Sequence, residues 1–220
     1  MARRNTVWLF DLDDTLHDAM NASMPGIRQA MGEYFTQHLG YAEAAAGALR
    51  NLYWRRYGAT LLGVVRHHGV KAAHFLHHTH LLPGLEERVR GHAADIAALA
   101  RLPGRRYIVT NAPLAYAERV IGALGIRHLF DGVVSIEAMH MFGDLRPKPD
   151  TRMLRALAAR LRVRPWQCTL VEDTLVHQKA ARCVGMQTVW MQRWVRHPGA
   201  RRHRRPGYVD QRVRRLRDLR

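Results

Sequence analysis

The sequence predicts an α/β protein, a parallel-sheet core with a helical cap inserted after the first strand. Three observations carry this expectation. The apolar run Val7-Trp8-Leu9-Phe10 reads as a buried strand, and it ends in the acids Asp11, Asp13 and Asp14. The stretch from residue 17 to 83 keeps helical spacing and shows no clear strand signal. After Pro83-Gly84, strand-like apolar runs alternate with helical stretches, the pattern of βα units joined by right-handed crossovers.

Strand one is expected from Thr6 to Leu12. Ser23-Met24-Pro25 reads as a helix start with a capping hydroxyl and an early proline, and Ile27, Ala30, Met31, Tyr34 and Phe35 continue it at helical spacing. Glu43–Tyr57 reads as a second helix stopped near Gly58. Thr60–His68 and Lys71–Leu81 read as two more, split by Gly69. The expected division is therefore residues 1–16 with 84–220 as core and 17–83 as cap. Core helices are expected at His92–Leu102, Leu114–Leu124, Pro149–Leu161 and Thr174–Val184, with Gly125 and Gly185 closing two of them. Core strands are expected at Arg105–Thr110, Val133–Ile136, Gln167–Val171 and Gln187–Met191. A solvated loop is expected from Arg196 to Pro206. Tyr208-Val209 then reads as a short strand, and Gln211–Arg220 as a helix with Val213 and Leu216 inward.

A chain of 220 residues can bury a sizeable core. No apolar stretch approaches the roughly 20 residues of a transmembrane helix, so no membrane partner is expected. Asp11 cuts short the apolar run after Met1-Ala2-Arg3-Arg4, which argues against a signal peptide. Cys168 and Cys183 lack metal-ligand spacing and point to a reducing, cytoplasmic setting. The formal charge is +17, and residues 193–220, with eleven arginines and two aspartates, supply +9 of it. That stretch favours anionic partners and non-specific, salt-dependent nucleic-acid contact. It lacks aromatic interleaving and any recognised binding motif, so a solvated terminus is the plainer reading. Monomer and homodimer both stay open.

Four sites fall at strand ends or just after: Asp11 with Asp13, Thr110 with Asn111, Lys148, and Glu172 with Asp173. In open α/β sheets the ligand crevice lies at this carboxyl edge. Singly each has a plain structural reading: a strand-end acid, a turn, a solvated loop lysine, a helix N-terminal acid. Together they suit phosphoryl transfer. A carboxylate can attack phosphorus only if both negative charges are offset. Mg²⁺ does this with oxygen ligands, here the side chains of Asp11 and Asp173 and the backbone carbonyl of Asp13, with Glu172 supporting from behind. Lys148 would neutralise the nucleophile Asp11 and a phosphate oxygen. The Thr110 hydroxyl and the Asn111 N–H would bind other phosphate oxygens. Asp13 would act as the acid and then the base.

Phe10-Asp11-Leu12-Asp13-Asp14-Thr15-Leu16, Val109-Thr110-Asn111-Ala112, Arg146-Pro147-Lys148-Pro149-Asp150 and Leu170-Val171-Glu172-Asp173-Thr174-Leu175 resemble the four motifs of haloacid dehalogenase superfamily phosphatases. The resemblance runs to about Met191. It implies a Rossmann-like core with a helical cap after strand one, Asp11 as nucleophile, Asp13 as acid/base, Thr110 and Lys148 as phosphate ligands, and Asp173 as metal ligand. Asp13 argues against the dehalogenase branch, which does not need that acid. Leu49 to Leu61, and Ile136-Glu137 ahead of Arg146-Pro147-Lys148, resemble pyrimidine 5'-nucleotidases, which implies a nucleoside monophosphate such as UMP or CMP. A sugar phosphate or phosphoglycolate is the alternative substrate. His177 stands where the family pattern leads us to expect Asn.

The cap histidines, His67, His68, His74, His77, His78 and His80, have no partner acid at the spacing of a zinc helix and read as solvated or half-buried. Tyr53, Trp54 and Tyr57 read as cap core. Tyr57 and Thr60 are the cap residues expected to touch substrate.

Overall fold

The computed structural model describes residues 6–194 and 205–219. The chain divides into two compact units, Met1–Met20 with Val89–Arg220, and Asn21–Arg88. In chain order the first elements are β1 (Val7–Phe10), α1 (Ala19–Ala22), α2 (Met24–Gln37), α3 (Glu43–Tyr57), α4 (Thr60–His68), α5 (Ala72–His80) and α6 (Leu85–Arg88). Next come α7 (Ala93–Arg101), β2 (Arg105–Val109), α8 (Leu114–Ala123), β3 (Gly132–Val134), β4 (His140–Met141) and β5 (Asp144–Leu145). The last are α9 (Thr151–Arg160), β6 (Cys168–Glu172), α10 (Leu175–Cys183), β7 (Gln187–Met191) and β8 (Gln211–Val213).

The first unit is built on a six-stranded sheet in the order β3-β2-β1-β6-β7-β8, every neighbouring pair parallel. With the small β4–β5 hairpin set aside, this is the doubly wound order 3-2-1-4-5-6. The chain steps outward from β1 to β3, then returns to the other side of β1 at β6. The crevice between β1 and β6 is the switch point where such sheets place their ligands. Every residue of β1 and β6 is buried, which is why both read as unbroken apolar runs instead of alternating ones. Val7, Leu9 and Leu170 pack in one cluster with Leu154 and Leu157 of α9 and Ala181 of α10. A leucine fully buried in this way contributes about 1.5–3 kcal/mol.

Local chemistry sets the turns. Asp150 caps α9, its carboxylate accepting the Arg152 N–H at 2.7 Å. Gly58 ends α3 at φ 77°, a left-handed position that disfavours a Cβ. Gly104, at φ 92° ahead of β2, lies so close to the Thr6 carbonyl oxygen that any Cβ would collide with it.

Four expectations are corrected. Ser23 starts α2 but its hydroxyl makes no capping bond to the helix. Trp54 is 61% exposed and is not cap core, whereas Tyr53, one residue round the α3 helix, is buried. The third strand is Gly132–Val134, and Ile136–Met139 forms a 3-10 turn. The chain end is not a helix. Val209 lies beside a turn, Gln211–Val213 pairs with β7 as a sixth strand, and Leu216–Asp218 is a single 3-10 turn. Val213 is buried between exposed Arg212 and Arg214, the alternation of a strand. Asp95 of α7 fixes this end, accepting the Leu216 N–H at 2.9 Å and Arg193 Nε at 2.6 Å. Most of the loop expected from Arg196 to Pro206 lies outside the described residues.

In the helical unit, Phe35, Val64 and Phe75 are fully buried. Tyrosine–histidine pairs tie its helices: Tyr34 Oη to His74 Nδ1 at 2.7 Å and Tyr53 Oη to His68 Nε2 at 2.8 Å. His67, His74, His77 and His78 are exposed, and His68 and His80 are half-buried.

Candidate active site

The sheet delivers the acids to one edge. The Asp11 N–H bonds to the Val171 carbonyl at 2.9 Å, carrying the β1–β6 ladder one residue past β1. Phe10 pairs with Val171 and with Ile108, so Asp11 stands level with Glu172 on one side and Val109 on the other. Thr110 follows directly, its N–H bonded to the Val134 carbonyl at 3.0 Å. Beyond Asp11 the chain reverses, with the Leu16 N–H on the Leu12 carbonyl at 2.9 Å. Asp14 takes φ 53° in this reversal, a conformation Asp tolerates, and its carboxylate accepts the Met20 N–H at 3.0 Å.

Lys148 is the pivot of the site. It is 1% exposed, and its Nζ donates to Asp11 Oδ1 and to Glu172 Oε2, both at 2.7 Å. Burial alone would lower the lysine's pKa, but Asp11 and Glu172 more than reverse that, so the ammonium stays charged. Burial likewise acts to raise Glu172, and Lys148 and then His177 outweigh it, so its carboxyl lies well below the usual range. Asp11 goes the other way. Burial and then the charge of Glu172 push it well above the usual carboxylate value, and Lys148 offsets this only in part. Asp173 is also raised, by burial first and then by Glu172 and Asp11.

Asp11, Glu172 and Asp173 each offer a carboxylate oxygen, all within 4.8 Å of one another. One ammonium cannot balance three carboxylates in such a place, and the two raised acids register the deficit. An all-oxygen donor set suits a hard divalent cation such as Mg²⁺. The engaged oxygens separate the roles. Glu172 Oε1 accepts the Thr174 N–H at 3.1 Å and Oε2 holds Lys148, so both its oxygens are occupied. His177 Nδ1 stands 3.1 Å from Glu172 Oε2, too poorly aligned for a regular hydrogen bond. The residue that departs from the family pattern thus reaches the Glu172–Lys148 pair. Gln178 Nε2 donates to the carbonyls of Glu172 (2.9 Å) and Val189 (2.6 Å), and Trp190 Nε1 donates to the Asp173 carbonyl at 2.8 Å. These bonds fix the β6 end that carries both acids.

Thr110 is 1% exposed, and its hydroxyl accepts the Ala112 N–H at 3.0 Å. Asn111 has a role the sequence did not signal. Its Nδ2 donates to the Lys148 carbonyl at 2.9 Å and its Oδ1 accepts the Lys148 N–H at 3.0 Å. Asp13 Oδ1 accepts Tyr116 Oη at 2.7 Å and lies 2.9 Å from His17 Nε2. The His17 pairing was legible as an i, i+4 spacing, whereas Tyr116, 103 residues away in sequence, was not. Glu137 caps α8, both its oxygens 3.1 Å from the Leu114 N. The cluster of Asp11, Asp13, Thr110, Asn111, Lys148, Glu172 and Asp173 is formed within the first unit. Tyr57 and Thr60 lie on the helical unit, Tyr57 ending α3 with its hydroxyl 2.6 Å from His67 Nε2, and Thr60 opening α4.

Among the described residues no helix is long and apolar enough to cross a membrane. Over 88 residues the chain is 39% identical to the fructose-1-phosphate phosphatase YqaB of Escherichia coli, a stretch that is 39% of this chain and 44% of that protein. The whole chain resembles solved structures in fold. A haloacid dehalogenase-type phosphatase from Thermococcus onnurineus aligns with TM-score 0.61 and 19% identity over 97% of this chain and 95% of that one. CbbY from Rhodobacter sphaeroides, solved with phosphate, aligns with TM-score 0.61 and 21% identity over the same shares. The L-2-haloacid dehalogenase of Xanthobacter autotrophicus aligns with TM-score 0.59 and 17% identity over 97% of this chain and 96% of that one. The sequence pattern of haloacid dehalogenase-like hydrolases matches residues 6–185. The chain belongs to that family.

Proposed function

We propose that the protein is a Mg²⁺-dependent phosphomonoesterase that works through an aspartyl-phosphate on Asp11. The observation that carries this reading is the Lys148 ammonium, 2.7 Å from both Asp11 and Glu172, with Asp173 in the same carboxylate cluster. Asp13 separates it from the dehalogenase chemistry that the same fold also supports. The side chains of Asp11 and Asp173 and the backbone carbonyl of Asp13 would hold the ion, and Glu172 would hold Lys148. Bound there, Mg²⁺ supplies the charge that lets a carboxylate approach a phosphate.

Asp11 attacks phosphorus as Asp13 protonates the departing alcohol oxygen. Lys148, the Thr110 hydroxyl and the Asn111 N–H bind phosphoryl oxygens whose charge is spread in the transition state. Asp13, now a carboxylate, takes a proton from the water that cleaves the aspartyl-phosphate. The helical unit acts as the cap, with Tyr57 and Thr60 as its substrate contacts, and the enzyme works in the cytoplasm.

Two substrate readings stand. The Leu49–Leu61 resemblance supports a pyrimidine nucleoside monophosphate. The match to a fructose-1-phosphate phosphatase favours a sugar phosphate. Phosphate release from UMP, CMP, fructose 1-phosphate and phosphoglycolate, with and without Mg²⁺, decides between them. Release that persists in Asp11→Asn, or that ignores Mg²⁺, would sink the mechanism. A reading of another class is a nucleic-acid binder using residues 193–220. It is supported only by the charge of that stretch.

A further inference from the structure

We propose that Tyr116 and His17 are positioning residues that aim the carboxyl of Asp13, so that one of its oxygens is anchored and the other handles the proton. The proposal rests on the phosphomonoesterase reading and adds to it how the acid is oriented.

Tyr116 Oη donates to Asp13 Oδ1 at 2.7 Å, and His17 Nε2 lies 2.9 Å from the same oxygen. Both partners are enclosed, Tyr116 at 1% exposure and His17 at 0%, while the Asp13 side chain keeps 17%. The partners come from different elements. His17 sits one turn after Asp13, joined to it by an isolated bridge, and Tyr116 lies on α8 behind β2. The buried His17 Nδ1 has no hydrogen-bond partner, so nothing on that side competes for the proton that Nε2 offers to Asp13. A carboxyl oxygen has two in-plane lone pairs. With both of those on Oδ1 directed at donors, the plane of the carboxyl is set and the transferable proton belongs to Oδ2.

The step balances with Tyr116 and His17 keeping their own protons. As the Asp11–phosphorus bond forms and the phosphorus–ester oxygen bond breaks, the Oδ2 proton passes to the ester oxygen and leaves Asp13 as a carboxylate. When water attacks the aspartyl-phosphate, one water proton returns to Oδ2. The new oxygen–phosphorus bond replaces the Asp11–phosphorus bond, freeing phosphate.

Leaving-group dependence tests this. A misaimed acid hurts esters whose alcohol must be protonated and spares 4-nitrophenyl phosphate, whose phenolate leaves unaided. General acid catalysis contributes about 10²–10⁴-fold. Tyr116→Phe should therefore lower kcat/KM on fructose 1-phosphate and UMP about tenfold or more. The loss should fall in kcat and not in KM, with 4-nitrophenyl phosphate changed less than about threefold. His17→Leu should act the same way, and His17→Gln, which keeps an N–H donor, should recover part of the loss. In an Asp13→Asn background Tyr116→Phe should have no further selective effect. Equal losses on alkyl and aryl esters, or a selective loss that survives in Asp13→Asn, would overturn the proposal. A wild-type protein that releases no phosphate from any of these esters would overturn the phosphomonoesterase reading itself, and this proposal with it.

Discussion

The side chain of Asn111 clamps the backbone of Lys148, with Nδ2 on its carbonyl at 2.9 Å and Oδ1 on its N–H at 3.0 Å. The turn after β2 thereby fixes the height at which the lysine enters the site. Each bond is worth about 1 kcal/mol net. Asn111→Ala should release the loop and lower kcat/KM about tenfold or more, with Asn111→Asp, which loses only the donor half, falling between. Steady-state kinetics checks this. An unchanged kcat/KM in Asn111→Ala would mean that its ion pairs alone hold Lys148.

Those ion pairs should be visible in stability. Removing one partner of a buried pair leaves an uncompensated charge and costs about 3–5 kcal/mol. Lys148→Met should therefore destabilise the metal-free protein by about that amount in urea unfolding. Adding Glu172→Gln should recover part of the loss, because it removes the stranded carboxylate. Strictly additive effects would show that Lys148 and Glu172 are not coupled in solution.

How legible was this in the sequence? The positions of Asp11, Thr110, Lys148 and Glu172-Asp173 were readable because each follows an apolar strand or a Pro-flanked loop, and strand ends in a parallel sheet share an edge. The buried strands were readable for the same reason, as runs such as Val7–Phe10. What could not be read were contacts made by ordinary residues at long range. Tyr116 and Trp190 lie in apolar patterns that core packing explains equally well, and their polar tips gave no signal. The β4–β5 hairpin turns at Phe142 (φ 52°) and Gly143 (φ 79°), where Asn-Gly or Asp-Gly would have marked such a turn. The chain end misled because Val213 and Leu216 fit a helical spacing, whereas pairing with β7 makes Gln211–Val213 a strand.

That strand changes how the basic stretch must be tested. Deleting residues 193–220 would remove β8, uncover the edge of β7 and strip Asp95 of both partners. Charge removal at exposed Arg212, Arg214 and Arg217 leaves the pairing in place. If this surface holds DNA, the triple Gln variant should elute from a DNA column at lower salt, its log–log salt slope reduced by up to about 3. Identical elution would leave these arginines solvated and nothing more.

Divalent ion binding should stabilise the fold through Asp173. An ion that binds only the folded state adds RT ln(1 + [L]/Kd), about 2.7 kcal/mol at a hundredfold excess over Kd. Mg²⁺ should raise the melting temperature of the wild type and do so far less in Asp173→Asn. Equal shifts in the two proteins would place the ion elsewhere.

The size of that shift should depend on pH. Burial, helped by Glu172, raises both Asp11 and Asp173 above their ordinary value, so each holds its proton more tightly in the folded chain. The folded state then binds more protons than the unfolded one. Metal-free stability accordingly falls as pH rises from about 4, and it stops falling above the raised folded values. Glu172, held low, contributes stability that is present above its unfolded value and lost as pH falls through its folded one. Mg²⁺ competes with the protons on Asp11 and Asp173, so its stabilisation should grow with pH and then level off. Melting curves with and without Mg²⁺ between about pH 5 and pH 8 measure this directly. A Mg²⁺-induced shift of constant size across that range would mean that both acids are already ionised without the metal, and that their burial in the crevice is shallower than the geometry shows.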